Sequence, residues 1–362
     1  MKKYKIYVYA ISKNEEKFVD RWVNSVKDAD AIYVLDTGST DKTVAKLKAK
    51  GVVVKEEKIN PWRFDVARNK SLEMVPKDAD ICICIDIDEV LEENWRQKLE
   101  KIWTKDLTRL RYNYIWSFDE YGSPTVNFYS EKIHTRNGYK WIHPVHEILS
   151  YSGKEKILTT NNFTIKHYPD TNKSRSSYLK LLELSVKEDP EDDRNMHYLG
   201  REYMYYGKYN KSIDTLIKHL KLKKATWKDE RSASMRFIAR DYKNLGRIDE
   251  ARMWLNKAKE ETPYLREPYV ESGILEYETN NYKEAIKDLE IALKIEKPYK
   301  SYINEPFCYD STVYDILSIC KYNIGALAES LYYVNLALEK NPNNKRIINN
   351  KKLIEKALNK VK

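Results

Sequence analysis

The stretch Ile81-Cys82-Ile83-Cys84-Ile85-Asp86-Ile87-Asp88-Glu89 decides how this chain is read. Ile81 to Ile85 is a short apolar run, rich in β-branched residues, of the kind that forms a buried strand. Strand side chains alternate, so Cys82 and Cys84 share one face and Asp86 and Asp88 fall on one side. Three acids within four residues at a strand end repel one another, and keeping them ionised is costly unless a cation binds there. Hard carboxylate oxygens favour Mg2+ or Mn2+ over Zn2+.

Upstream, Lys5–Ile11, Ala31–Leu35 and Val52–Lys55 are further strand-like runs. Between the first two lies Glu15–Val26, with Phe18, Val19, Trp22, Val23 and Val26 at helical spacing. Between the second and third lies Thr40–Ala49, with Val44 and Leu47 and a stop at Gly51. This order predicts a Rossmann-like, mostly parallel sheet covered by helices. Ligands of such sheets bind beyond the carboxyl ends of the strands, so the polar residues there are the site candidates.

Four further clusters qualify. Ser12-Lys13-Asn14-Glu15-Glu16 is either an acidic helix start or a carboxylate for a ribose or base. Asp36-Thr37-Gly38-Ser39-Thr40-Asp41 is a glycine turn with Thr40 as a possible cap, yet Asp36 and Asp41 are more acid than a cap requires. In Trp62-Arg63-Phe64-Asp65-Val66-Ala67-Arg68-Asn69, Asp65 and Arg68 share a helical face, as an ion pair or with Arg68 addressing phosphate or sugar hydroxyls. Trp141-Ile142-His143-Pro144-Val145-His146-Glu147, followed by His167, gathers most of the six histidines once His134 is added. It lacks the His-Glu-x-x-His spacing of zinc proteases.

After about Ser174 the grammar changes. Gly200, Ala239, Gly273 and Ser318 align as small residues of first helices. Ser212, Ala251, Ala285 and Ser330 align in second helices, followed by Leu216, Leu255, Leu289 and Val334, then His219, Ala258, Ala292 and Ala337. Small residues at such points let paired helices approach closely. The steps from Ser212 to Ala251, Ala285 and Ser330 are 39, 34 and 45 residues, with Lys297–Asp310 as an insertion. The pattern resembles the tetratricopeptide repeat, whose period is about 34 residues. The segments Tyr198-Leu199-Gly200-Arg201-Glu202-Tyr203 and Gly246-Arg247-Ile248-Asp249-Glu250-Ala251 carry the likeness. The expected division is a catalytic domain over 1–170, a helical linker over 171–195 and a repeat domain over 196–362.

The chain has 362 residues, comfortable for two domains. With 42% hydrophobic and 33% charged residues it reads as soluble and globular. No apolar window reaches the ~18 residues of a spanning helix. Met1-Lys2-Lys3 opens like a signal peptide, but the apolar run ends at Ile11, so it reads as a strand. The net charge of +10 favours anionic substrates, without a motif that points to nucleic acid. Four cysteines form no disulfide framework, and a reduced, cytoplasmic setting is expected.

Taken together, Asn14-Glu15, Asp36 to Asp41, Asp65 with Ala67-Arg68-Asn69, Asp86-Ile87-Asp88-Glu89 and His146-Glu147 resemble a family 2 glycosyltransferase of GT-A fold. With the repeats, the arrangement is similar to prophage and glycocin-type peptide S-glycosyltransferases. A dehalogenase-type phosphatase loop shares the strand-end Asp-x-Asp, but it usually has Gly where this chain has Glu89, and it lies near the start of its chain.

The resemblance implies a nucleotide-sugar donor, in most members a UDP-sugar, and Mn2+ or Mg2+. It implies that Asn14, Glu15, Asp36, Ser39, Asp41, Asp65, Arg68 and Asp86 serve the donor, and that Asp86, Asp88 and His167 serve the metal. It implies an inverting reaction with Glu147 as base and His146 as runner-up. It further implies a peptide or protein acceptor and a homodimer through the repeats. Two alternatives stand beside it: a surface-glycan or lipid-linked acceptor, with basic Lys345–Lys362 at an anionic membrane, and a non-catalytic repeat scaffold.

Overall fold

The computed structural model describes all residues except 1–2, 120–121, 171–176, 296–300 and 362. By its contacts the chain divides into two units, Met1–Glu188 and Asp189–Lys362.

In the first unit, β1 (Ile6–Ser12), α1 (Val19–Val26), β2 (Ala31–Asp36), α2 (Thr43–Ala49), β3 (Val53–Glu56), α3 (Phe64–Glu73) and β4 (Ile81–Cys84) follow the expected alternation. Then come β5 (Glu89–Leu91), α4 (Trp95–Ile102), β6 (Arg109–Phe118), β7 (Pro124–His134), β8 (Tyr139–Ile142), β9 (Ile148–Tyr151), β10 (Ile157–His167) and α5 (Tyr178–Glu188). The main sheet runs β3-β2-β1-β4-β7-β6-β10-β5, with β8 and β9 as a separate hairpin. Strands β3, β2, β1 and β4 are mutually parallel, and β7 joins β4 antiparallel. The strand order reverses between β1 and β4, which opens a crevice at their carboxyl ends.

The alternation read from Ile81-Cys82-Ile83-Cys84 is real. Ile81 and Ile83 face a core with Val8, Val19, Trp22 and Val26. Cys82 and Cys84 face the other side, against Tyr9, Leu72, Trp141 and Leu149, and both are free thiols. Burial pushes the Cys82 thiol up to about 12 and that of Cys84 up to about 11, so neither is poised as a nucleophile.

Two local expectations need correction. The helix expected from Glu15 begins at Val19, because Asn14 adopts φ 55 and the chain turns before it can wind. The helix expected from Thr40 begins at Thr43, where Asp41 Oδ1 rather than Thr40 accepts the first amide, that of Thr43, at 3.0 Å. Thr43 is instead fully buried, donating to Asp41 Oδ1 at 2.5 Å and accepting from the Glu15 amide at 2.7 Å. The expected linker also divides. Residues 171–176 lie outside the described residues, whereas α5 belongs to the first unit, where Arg63 grips Glu188 at 2.5 Å and Phe64 meets Tyr178.

The second unit is a run of helical hairpins: α6 (Asp193–Tyr205) with α7 (Tyr209–Lys221), α8 (Lys228–Asn244) with α9 (Ile248–Glu261), α10 (Glu267–Glu278) with α11 (Tyr282–Lys294), and α12 (Thr312–Asn323) with α13 (Leu327–Lys340), closed by α14 (Lys345–Val361). The aligned small residues mark the close approaches of each hairpin. Ser212 donates to the Gly200 carbonyl at 2.8 Å, and Ser330 repeats this on Ser318 at 2.7 Å. A Cβ on Gly273 would lie 2.5 Å from Leu289 Cγ. Gly273→Ala is therefore expected to cost about 1–3 kcal/mol of unfolding free energy, read from denaturant melts. Loss of less than about 0.5 kcal/mol would mean that the hairpin relaxes freely.

Candidate active site

The crevice is organised from three strand ends. After β1 and β2, which pair Ser12 with Asp36, the loops lock together. Asp36 is buried and all its acceptor capacity is used: Oδ1 takes the Gly38 and Ser39 amides at 3.0 and 2.8 Å, and Oδ2 takes the Ser12 and Ser39 hydroxyls at 2.8 and 2.5 Å. Asn14 Oδ1 accepts the Thr40 amide at 2.7 Å, and its own amide donates to Ser39 Oγ at 2.8 Å. Asp41 Oδ2 accepts the Glu16 amide at 3.1 Å, and Glu15 is buried beside these loops. Burial alone would raise the Asp41 carboxyl, but the Thr43 bonds outweigh it and hold it below the ordinary value. Asn14, Glu15, Asp36, Ser39 and Asp41 thus form one rigid loop pair, with backbone rather than Asp36 oxygens left to present.

The second strand end is that of β4. Two of the three acids after Ile85, Asp86 and Glu89, are paired with protein cations. Arg68, on α3, donates to Asp86 Oδ1 at 2.5 Å. Lys132, on β7, reaches Asp86 Oδ2 at 3.1 Å and both Glu89 oxygens at 2.7 and 2.9 Å. Glu89 also accepts from Tyr114 at 2.6 Å and from the Asp86 amide at 2.8 Å, so it is a buried structural carboxylate. Burial would raise the Asp86 carboxyl, but Arg68 and Lys132 outweigh it and hold Asp86 far below its ordinary value. Burial wins at Glu89, which is pushed up. Lys132 was invisible in the sequence, because no local motif marks it. The demand for positive charge was legible, but its source lay 43 residues from Glu89 on an antiparallel strand.

Asp88 has a different environment. β10 runs antiparallel to β5, placing His167 opposite Glu89, and the Tyr168 amide donates to the Asp88 carbonyl at 2.9 Å. This brings His167 Nε2 to 3.5 Å from Asp88 Oδ2. The ring stacks on exposed Trp116 at 4.3 Å, with Nδ1 3.1 Å from the Trp116 carbonyl. Burial lowers the His167 pKa, but Asp88 outweighs this and the net shift is upward. Asp86, Asp88 and His167 do not converge as a trio. Among the described residues, the one set of three His, Cys, Asp or Glu side chains with ligand atoms within 4.8 Å of one another lies in the second unit.

The third element is the β8–β9 hairpin. Asn69 clamps it with its side-chain amide, Nδ2 donating to the Trp141 carbonyl and Oδ1 accepting the Trp141 backbone N–H, each at 2.8 Å. Trp141 Nε1 donates to Tyr9 Oη at 2.9 Å beneath it. His143 and His146 take positive φ, 78 and 51, and the turn delivers Glu147 to Arg68 Nε at 2.8 Å. Arg68 therefore forks between Asp86 and Glu147, as its planar guanidinium permits. Of the two readings of Asp65 and Arg68, the ion pair between them does not form. Asp65 is held by Arg63, at 3.0 and 2.9 Å.

Residues 7–151 match the protein family described as Glycosyl transferase family 2. The first unit is a family 2 glycosyltransferase domain. Its strand-end acids lie at the carboxyl end of β4, where the Arg68 fork holds Asp86. The prophage-derived glycosyltransferase SunS of Bacillus subtilis is 29% identical over 227 residues, spanning 57% of this chain and 51% of that protein. An uncharacterized glycosyltransferase of Rickettsia bellii is 36% identical over 100 residues, 27% of this chain and 33% of that protein. The chain thus spans between a third and about half of the length of these glycosyltransferase relatives. The thermophilic TPR protein TTC0263 of Thermus thermophilus has a TM-score of 0.35 at 19% identity, covering 49% of this chain and 89% of that one. Among the described residues, no helix is long and apolar enough to cross a membrane.

Proposed function

We propose that this chain moves a hexose from a UDP-sugar to a peptide or protein acceptor with inversion at the anomeric carbon. The observation that carries the reading is the division of labour at the end of β4: Asp86 is committed to Arg68 and Lys132, while Asp88 faces His167 at 3.5 Å. The Asp88 carboxylate offers the hard oxygen that Mn2+ or Mg2+ favours, and the imidazole nitrogen beside it suits Mn2+ better than Mg2+. When bound, such an ion supplies positive charge beside the departing diphosphate.

The chain's own residues account for the rest. The acceptor's nucleophile forms a bond to the anomeric carbon as the bond from that carbon to the diphosphate oxygen breaks, and the electron pair leaves with UDP. Glu147 takes the acceptor's proton, oriented by Arg68 Nε at 2.8 Å. The loop pair of Asn14, Glu15, Asp36, Ser39 and Asp41 frames the uridine side, and its pre-formed hydrogen bonds lower the ordering cost of binding. Trp116, exposed beside His167, offers an apolar face to the sugar. The stacked hairpins of the second unit supply a surface of the kind that holds extended peptides or a second subunit.

A melting-temperature screen of nucleotide sugars, with and without Mn2+, tests this. A UDP-sugar is expected to raise the melting temperature by mass action and to do so more strongly with Mn2+. No shift and no turnover with any nucleotide sugar would overturn the enzymatic reading and leave a repeat scaffold.

A further inference from the structure

Outside the sugar-transfer crevice, the first helices of the second unit bury a polar cluster of their own. Asp193 and His197 are four apart on α6, and Glu230 and Ser234 are four apart on α8, so each pair shares a helix face. His219 enters from α7. One ligand atom each from Asp193, His219 and Glu230 lies within 4.8 Å of the others.

His219 is fully buried, and its two nitrogens are treated differently. Nδ1 lies 2.9 Å from Ser234 Oγ, which is also 2.7 Å from His197 Nδ1. Ser234 has one proton to give, so one of the two imidazoles must donate to it. With His219 as that donor, its Nε2 carries a lone pair. Nε2 makes no hydrogen bond, and the nearest carboxylate oxygen, Glu230 Oε1, is 3.5 Å away. Leaving a buried nitrogen unmatched is costly. A hydroxyl that accepts from the outer nitrogen while the inner nitrogen faces carboxylates is how metal-binding histidines are prepared, and the shared Ser234 allows His219 that tautomer. Tyr302 donates to the other Glu230 oxygen, which fixes that carboxylate too, and Arg194 adds one positive charge nearby. A simple His219–Glu230 ion pair is the competing account, and it gives Asp193 no part.

We propose that Asp193, His219 and Glu230 hold one Zn2+ ion that staples α6, α7 and α8 together. One imidazole with two carboxylates is a zinc-type donor set, whereas Mg2+ prefers oxygen alone. Closing on an ion at ligand distances of about 2.0–2.2 Å requires Asp193, the half-buried member, to move inward. The site is independent of the sugar-transfer reading.

The test uses the full chain, stripped with chelator and titrated with Zn2+ and, separately, with Co2+, whose visible absorption reports its ligands. One equivalent is expected to bind Asp88→Asn, which lacks the metal position of the sugar-transfer crevice, the wild type is expected to take up at least that equivalent, and Zn2+ is expected to raise the melting temperature of each. His219→Gln and Asp193→Asn are each expected to weaken binding at least tenfold and to lose the Co2+ band. Ser234→Ala, which removes only the outer hydroxyl, is expected to weaken it by about 10–100-fold. Asp193→Asn decides the matter if His219→Gln does not fold. No zinc bound by the wild type, or equal binding by wild type and Asp193→Asn, overturns the proposal. Because the readout is metal affinity and melting, neither result bears on transfer.

Discussion

Asp88→Asn is expected to lower sugar transfer and donor hydrolysis by about a thousandfold, the scale of losing electrostatic stabilisation of a developing charge. The fold should survive. The side chain faces His167 at 3.5 Å, and the structural bond at this position is to the Asp88 carbonyl, which asparagine keeps. The melting temperature without ligand should stay within a few degrees of wild type, while the Mn2+-dependent part of any UDP-sugar shift disappears. His167→Ala should follow in the same direction by a smaller factor. If Asp88→Asn turns over within tenfold of wild type, Asp88 does not serve a metal, and Arg68 and Lys132 are the remaining cations for the diphosphate.

Lys132→Met is expected to act on stability first. It leaves the Glu89 carboxylate buried against Tyr114 and the Asp86 amide, with Asp86 held by Arg68 alone. Removing one partner of a buried pair costs about 3–5 kcal/mol, because the stranded charge has nowhere to be solvated. The deficit should depend on pH in a defined sense. Glu89 already has a folded pKa above its ordinary 4.5, so ionising it opposes folding, and this penalty grows as pH rises from the unfolded value through the folded one. Without Lys132 the folded value rises further. The variant should therefore be weakest near neutral pH and recover as pH falls from 7 toward about 5. Asp86 has the opposite linkage. Its depressed carboxyl contributes stability above its ordinary 3.8 and loses it below, so melts kept above pH 5 isolate Glu89. Urea unfolding from pH 5 to 7.5, with Lys132→Met/Glu89→Gln beside the single variant, checks this. A pH-independent deficit, or no rescue by the second change, would show that packing rather than charge carries the loss.

These two residues show where sequence reading worked and where it stopped. The strand ending at Asp86 was legible because alternation of Ile with Cys is a local pattern, and both faces proved buried as it required. The hairpin repeat was legible because small residues recur wherever helices touch, as at Gly200 and Gly273. The partners of Arg68 were not legible. Helical spacing put Asp65 within reach, but Asp65 turns to Arg63, and Arg68 spans to strand-end Asp86 and hairpin Glu147. The helix starts at Glu15 and Thr40 were misplaced for the same reason, since the loop pair closes on Thr43 and the positive φ of Asn14 through contacts between β1 and β2.

The sequence by itself determined a strand–helix alternation ending in clustered acids, followed by paired helices, because each is written in the periodicity of neighbouring residues. Only the tertiary structure decided which charge answers which. It assigned Arg68 and Lys132 to Asp86 and Glu89, left Asp88 to His167, and sent Asp193, His219 and Glu230 to a point shared by three helices. A buried charge must find its counterpart wherever the fold brings one within a few ångströms, and that distance is not a property of the chain read along its length.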